Sequence, residues 1–112
     1  MSLEIKIKEL NDVVVVGLVG NLDTNTAPDA EVKINEWLEK DAKKIVINLE
    51  ETRYVSSAGL RIFLATAKKM TASGGAVKLC CPNEVVQEIL DISGFSTILD
   101  VKSTEEEAIA NI

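Results

Sequence analysis

The first apolar residues of the chain form two patterns that are typical of β-strands. Residues 4–8 alternate isoleucine with charged residues, as a half-exposed edge strand does. Residues 13–19 are a nearly continuous β-branched run, which predicts a buried strand that ends at Gly20. A turn signal at residues 11–12 joins the two runs and predicts that these strands pair antiparallel. A polar loop is expected over residues 21–25.

Four later segments repeat apolar residues at helical spacing. The first is expected to begin at Thr26, where Thr26 and Asp29 are suited to a capping box, and to end before residues 41–44. The other three helices are predicted to begin at Ser57, at residues 82–84 and at residues 103–106.

Short apolar runs between these helices predict three more strands. They cover residues 45–49, 77–81 and 97–101, and residues 50–55 are expected to form a loop. Alternation of strands and helices after an opening hairpin implies right-handed crossovers and mostly parallel pairing. We therefore predict an α/β fold: a single domain over residues 1–112, with a mixed, mostly parallel sheet of four to five strands flanked by about four helices.

Composition narrows the possible functions. The formal net charge is −6, which disfavours direct binding to nucleic acid. The chain contains no histidine, which excludes Ser-His-Asp and Cys-His catalysis and His-based metal sites. We expect no enzymatic activity, no cofactor and no metal.

Two further features concern the compartment. Cys80 and Cys81 are adjacent in an apolar run, where we expect reduced thiols in the core and therefore a cytoplasmic protein. Residues 1–10 do not have the pattern of a signal peptide, and the apolar run at residues 13–19 is too short to span a bilayer. We expect no insertion into a membrane.

The candidate chemistry lies at the carboxyl ends of the predicted strands. Two loops, at residues 20–23 and 54–60, are expected to lie close together there. Ser56 and Ser57 stand at a predicted helix start, where hydroxyls satisfy free backbone N–H groups and where a phosphate would also be tolerated. The residues alone leave two interpretations open, helix caps or a phosphorylation site. A Ser-Lys hydrolase is disfavoured, because residues 68–69 lie about three turns further along the helix.

Four segments of the chain together resemble the anti-sigma-factor antagonists of the STAS domain family. The stretch Val-Ser-Ser-Ala-Gly-Leu-Arg at residues 55–61 is similar to the family signature. Residues 20–27 resemble an upstream Gly-x-Leu-Asp segment followed by Thr-Ala, and residues 91–95 and 104–108 resemble two downstream segments. The similarity covers nearly the whole chain in order. Two positions depart from the pattern: Ser56 stands where many members carry Asp, and Asn48 stands where Asp is frequent.

The resemblance implies a specific function. Such proteins bind an anti-sigma factor, often a serine kinase, and so free a sigma factor. Phosphorylation of a serine two residues before the signature glycine releases the partner, and a PP2C-type phosphatase restores binding. That position is Ser57, with Ser56 as the second choice, and Asp23 corresponds to an acidic residue beside it. The partner-binding residues expected from the resemblance are Asn21, Asp23, Thr24, Ser56, Ala58, Gly59 and Arg61.

One alternative within the same family stays open. STAS domains also serve as interaction subunits of transporters or stress-sensing assemblies without a phosphorylation switch. A free-standing chain with no extra domain is expected to favour the antagonist, although a small transport-associated subunit would look the same. Co-purification with a kinase, or with a permease assembly, distinguishes the two.

Overall fold

Within residues 3–112, which the computed structural model describes, six strands form one mixed sheet and five helices pack on it. In chain order the elements are β1 (Glu4–Leu10), β2 (Val13–Leu22), α1 (Ala27–Glu39), β3 (Lys44–Asn48), β4 (Thr52–Val55), α2 (Ser57–Ala72), β5 (Ala76–Cys80), α3 (Glu84–Ile92), α4 (Phe95–Ile98), β6 (Asp100–Lys102) and α5 (Glu105–Asn111).

The sheet has the order β1-β2-β3-β5-β6, and β4 pairs with β2 beyond this path. β1 and β2 are antiparallel, as the turn signal predicts, and Asn11 between them has a positive φ of 57°. The other pairings, β2 with β3 and β4, β3 with β5, and β5 with β6, are parallel. The predicted α/β fold with a mostly parallel sheet is thereby confirmed.

Burial on both faces explains the uninterrupted apolar run in β2. Val14 and Val16 face the larger core with α1, α2 and α3, whereas Val13 and Val15 face a smaller cluster with Ala108 of α5. Successive residues of a strand point to opposite faces, so a strand that is covered on both sides needs apolar residues throughout. The sheet is consequently covered by α1, α2, α3 and the short α4 on one face and by the short α5 on the other.

Two short elements differ from the predictions. The expected loop at residues 50–55 contains β4, and the expected strand at residues 97–101 is the helix α4 followed by β6. β4 shows no alternation, because Thr52 and Val55 are buried and the two residues between them are exposed. It forms a strand because β2 continues past Gly20 to Leu22 and offers it a partner. The prediction of a polar loop that begins at Asn21 was therefore also wrong.

The two cysteines differ from one another. Cys80 ends β5 and is buried, and burial raises the pKa of its thiol. Cys81 lies outside the strand, is half-buried and has a positive φ of 61°. Both thiols are free, as expected, but only Cys80 belongs to the core.

Candidate functional site

The ends of β2 and β4 bring the two candidate loops together. Leu22 pairs with Val55 in parallel register, and the Ser56 N–H donates to the Leu22 carbonyl oxygen at 2.8 Å. Asp23 directly follows Leu22, and Ser57 lies two residues after Val55. The proximity that the fold predicts for the two loops is therefore present.

The two serines at the start of α2 have different roles. Ser56 is half-buried and caps the helix, because its hydroxyl oxygen accepts from the Gly59 N–H at 3.4 Å. Ser57 is the first helical residue, its side chain is exposed, and its hydroxyl has no hydrogen-bond partner within residues 3–112. The capping interpretation thus applies to Ser56 and leaves the hydroxyl of Ser57 accessible.

A compact turn holds Asp23 in place. One carboxylate oxygen, Oδ1, accepts from the N–H groups of Asn25 at 2.9 Å and Thr26 at 3.1 Å. The buried Thr26 hydroxyl donates to the Asn21 carbonyl at 2.7 Å and accepts from the Asp23 N–H at 2.9 Å. The Thr26 side chain therefore stabilises the loop by hydrogen bonds to Asn21 and Asp23. It makes no capping hydrogen bond to α1, so the predicted capping box with Asp29 was wrong.

The other expected binding residues are distributed over the same surface, with one exception. Thr24 and Arg61 are exposed, and Asn21 and Ala58 are half-buried. Gly59 is buried in the free domain, and its contact with a partner stays a prediction. A Cβ at this position would lie 2.8 Å from the Leu22 side chain and 2.9 Å from that of Val55. Gly59 allows α2 to approach the strand ends.

Arg53, which flanks the candidate serines in the sequence, is a candidate contact for the carboxylates of a partner, whereas Tyr54 was not selected from the sequence. Arg53 is exposed in β4, and Tyr54 keeps 47% of its surface exposed. Tyr54 pairs with Asn21 across the two strands. Large exposed aromatic side chains are characteristic of protein interfaces. The predicted loop concealed Tyr54, because only strand pairing fixes which side chains of a short segment point outward.

Acidic residues near Ser57 in sequence lie elsewhere in space. Glu50 and Glu51 line a groove of about 850 Å³ on the face that α5 partly covers, and Glu51 lies 3.8 Å from Lys6 of β1. Neither serine lines this groove. Its position separates it from the paired ends of β2 and β4. Asp23, by contrast, is held directly after the end of β2 by the N–H groups of Asn25 and Thr26.

Two further observations describe this part of the molecule. The described part of the chain holds no group of three or more Cys, Asp or Glu side chains placed to bind a metal ion. Within residues 3–112 no helix is long and apolar enough to cross a membrane. The paired ends of β2 and β4 carry an exposed aromatic ring and lead into an exposed hydroxyl and a fixed carboxylate, a combination that is suited to contact with another protein.

The sequence as a whole matches a known family. The family model of the STAS domain covers residues 4–108. The chain belongs to the STAS domain family. It is 28% identical to the anti-sigma-B factor antagonist of Bacillus subtilis, over 97% of this chain and 99% of that protein.

Solved structures show the same fold. A Thermotoga maritima protein assigned as an anti-sigma factor antagonist aligns with this STAS domain at a TM-score of 0.92 and 26% identity, over 96% of this chain and 93% of that one. The Bacillus protein SpoIIAA has been solved unphosphorylated and phosphorylated. Both forms are 24% identical to this chain, and each alignment covers 96% of it. The unphosphorylated form aligns at a TM-score of 0.83 over 95% of its own chain, and the phosphorylated form at 0.74 over 98%. The resemblance to anti-sigma factor antagonists, which are regulators and not enzymes, is confirmed.

Proposed function

We propose that this STAS domain is a cytoplasmic anti-sigma factor antagonist that is switched off by phosphorylation of Ser57. It binds an anti-sigma factor with serine kinase activity through the surface at the ends of β2 and β4, and thereby releases a sigma factor. A PP2C-type phosphatase restores the binding form. The observation that carries the proposal is the exposed, unbonded hydroxyl of Ser57 beside the engaged hydroxyl of Ser56.

The physical effect of the phosphate follows from charge and hydration. Phosphorylation adds about −1.5 to −2 charges and three strong acceptor oxygens. A neutral serine hydroxyl can be covered by a partner, whereas a phosphate at the same place loses its hydration on binding. Asp23 already holds a negative charge on this surface. A loss of about 3 kcal/mol weakens binding more than a hundredfold, so no refolding is needed for a switch.

The likeness to relatives supports this assignment. The Bacillus subtilis protein bears the name anti-sigma-B factor antagonist, and SpoIIAA exists in a phosphorylated form. In this chain the hydroxyl at the start of α2 is accessible to a kinase, and the fold around it needs no rearrangement. Burial and the capping bond disfavour Ser56 as the acceptor.

Co-purification with intact-mass analysis tests the proposal. Tagged wild type, Ser57→Ala and Ser56→Ala are recovered from the source cells. We expect one phosphate on the wild type and on Ser56→Ala, none on Ser57→Ala, and an anti-sigma factor bound most strongly by Ser57→Ala. Full phosphorylation of Ser57→Ala would refute the site. Recovery of a permease or stress-sensing assembly in place of an anti-sigma factor would refute the function.

A further inference from the structure

A groove between α1 and α2 begins beside the proposed phosphorylation site. It holds about 470 Å³, and Thr24 and Ala58, which flank Asp23 and Ser57 in sequence, line its near end. Its floor is apolar, with Ala27 and Ile62 buried. The remaining lining residues are Pro28, Glu31, Arg61, Leu64, Ala65 and Lys68.

One face of α2 forms a wall of this groove. Ala58, Arg61, Ala65 and Lys68 recur at spacings of three and four residues, which places them in a single row along the helix. Arg61 and Lys68 are seven residues apart, or about 10 Å along the axis at roughly 1.5 Å per residue. The groove is therefore long enough for about two turns of a second helix.

Most positive side chains in the described part of this molecule have a partner, but the two that line the groove do not. Seven of the chain's twelve Lys and Arg side chains form ion pairs with carboxylates. Lys40 stacks on Trp37, and Lys69 donates to Asn35 at 3.1 Å. Within residues 3–112 the cations left without a partner are Arg53, Arg61 and Lys68. Two of these three line the groove, although the chain as a whole carries a net charge of −6.

Unpaired cations above an apolar floor define the chemistry of an occupant. On the rim, Glu31 opposes the two positive side chains, so the groove has an excess of positive charge. An amphipathic helix fits this arrangement if its apolar side covers the floor and two carboxylates lie about two turns apart, opposite Arg61 and Lys68. Complementary charges of this kind fix the register of the partner and raise the association rate.

We propose that the α1–α2 groove receives an acidic amphipathic helix of the anti-sigma factor, with Arg61 and Lys68 paired to its carboxylates. The groove proposal rests on the proposed function. It extends that function by dividing the interface into two parts. The strand ends with Ser57 carry the switch. The groove carries the charge recognition that aligns the partner.

Three charge-neutralising variants with a common control test the groove. The probe is the purified anti-sigma factor identified by co-purification with Ser57→Ala, titrated calorimetrically at low and moderate salt. Arg61→Gln and Lys68→Gln should each weaken binding about tenfold, equivalent to about 1.4 kcal/mol. Lys69→Gln removes the same charge from the neighbouring position outside the groove and should change affinity less than twofold. Glu31→Gln should strengthen binding, and the salt dependence should be smaller in the Arg61→Gln, Lys68→Gln double variant.

The outcomes separate this proposal from the switch. The groove proposal would be refuted if Arg61→Gln, Lys68→Gln and Lys69→Gln bound with equal affinity. If Ser57→Asp still bound more weakly, the proposed function would stand. Weakened groove variants with an unimpaired Ser57→Asp would support the groove and overturn the switch. If no anti-sigma factor binds either the wild type or Ser57→Ala, both the groove proposal and the proposed function are refuted. All the substituted side chains are exposed, so equal unfolding midpoints verify that the variants are folded.

Discussion

Gly59, in the first turn of α2, packs directly on the buried side chain of Leu22 at the end of β2. A Cβ on Gly59 would meet two Leu22 carbons at 2.8 Å, closer than side-chain carbons pack, and Val55 closes the space from the other side. Leu22 and Val55 are themselves almost fully buried and have no room to move away. This contact fixes the start of α2, and therefore Ser57, against the loop that holds Asp23.

Gly59→Ala should consequently destabilise the domain even though alanine favours helices. The propensity gain is about 1 kcal/mol, whereas overpacking a closed site costs about 1–3 kcal/mol and more when backbone must shift. We expect a net loss of about 1–2 kcal/mol in the free energy of unfolding, measured by urea denaturation.

Gly17→Ala is the matched control for this substitution. A Cβ on Gly17 meets ordinary contacts at 3.6 and 3.7 Å, both with Lys6. Its stability should stay within about 0.5 kcal/mol of the wild type, as for most substitutions without a specific mechanism. Equal stabilities of the two variants would contradict the tight contact between Gly59 and Leu22.

Substitutions of the two adjacent serines should also have different effects on the free energy of unfolding of the isolated domain. Ser56→Ala removes the helix cap and should cost about 1 kcal/mol, the usual value for loss of a capping hydroxyl. Ser57→Ala removes an exposed hydroxyl without a partner in the described structure and should change stability by less than about 0.5 kcal/mol. Urea denaturation of both unphosphorylated variants measures the difference. The reverse order would show that Ser57 is the structural serine and would weaken its assignment as phosphoacceptor.

How far the sequence alone predicts this site depends on the range of the interactions involved. The β-branched run of β2 and the helical spacing of α2 are local patterns, and they correctly place Ser57 at a helix start. Burial of Gly59 and the role of Thr26 depend on where Leu22 and Asn21 lie after the chain has folded. β4 was missed for the same reason, since its four residues become a strand only through pairing with the extension of β2.

Arg61 lies one helical turn after Ser57, which makes it the natural partner of a phosphate there. Side chains four residues apart on a helix are neighbours, and guanidinium pairs strongly with phosphate. In the phosphorylated protein the second ionisation of the Ser57 phosphate should therefore fall below its usual pKa of about 6. Phosphorus NMR titration measures this value, and Arg61→Gln should raise it again while Lys69→Gln should not. Identical titrations of the three proteins would exclude the pair.

The short helix α5 is held to the sheet by a carboxylate whose titration is also predictable. Glu105 accepts from the Lys8 ammonium at 2.6 Å and from the Asn48 amide at 2.8 Å. Burial acts to raise the pKa of Glu105, but these two bonds outweigh it and hold the pKa below its ordinary value of 4.5, while the hydrogen bond with Glu105 raises the pKa of Lys8.

Glu105→Gln should therefore destabilise the domain in a pH-dependent way. Because the folded state favours the ionised carboxylate, its contribution is complete above pH 4.5 and is lost as the pH falls through the lowered pKa. At neutral pH we expect Glu105→Gln to cost about 1 kcal/mol, the scale of a hydrogen bond to a charged group, because the Glu105 side chain is only 19% exposed whereas its partner Lys8 is 52% exposed. Below pH 4.5 its urea denaturation curve should approach that of the wild type. Glu106→Gln, which neutralises an exposed neighbour in the same turn, should change the stability at neutral pH by less than about 0.5 kcal/mol. A constant difference between Glu105→Gln and wild type from pH 7 to pH 3 would mean that the carboxylate charge contributes nothing to the attachment of α5.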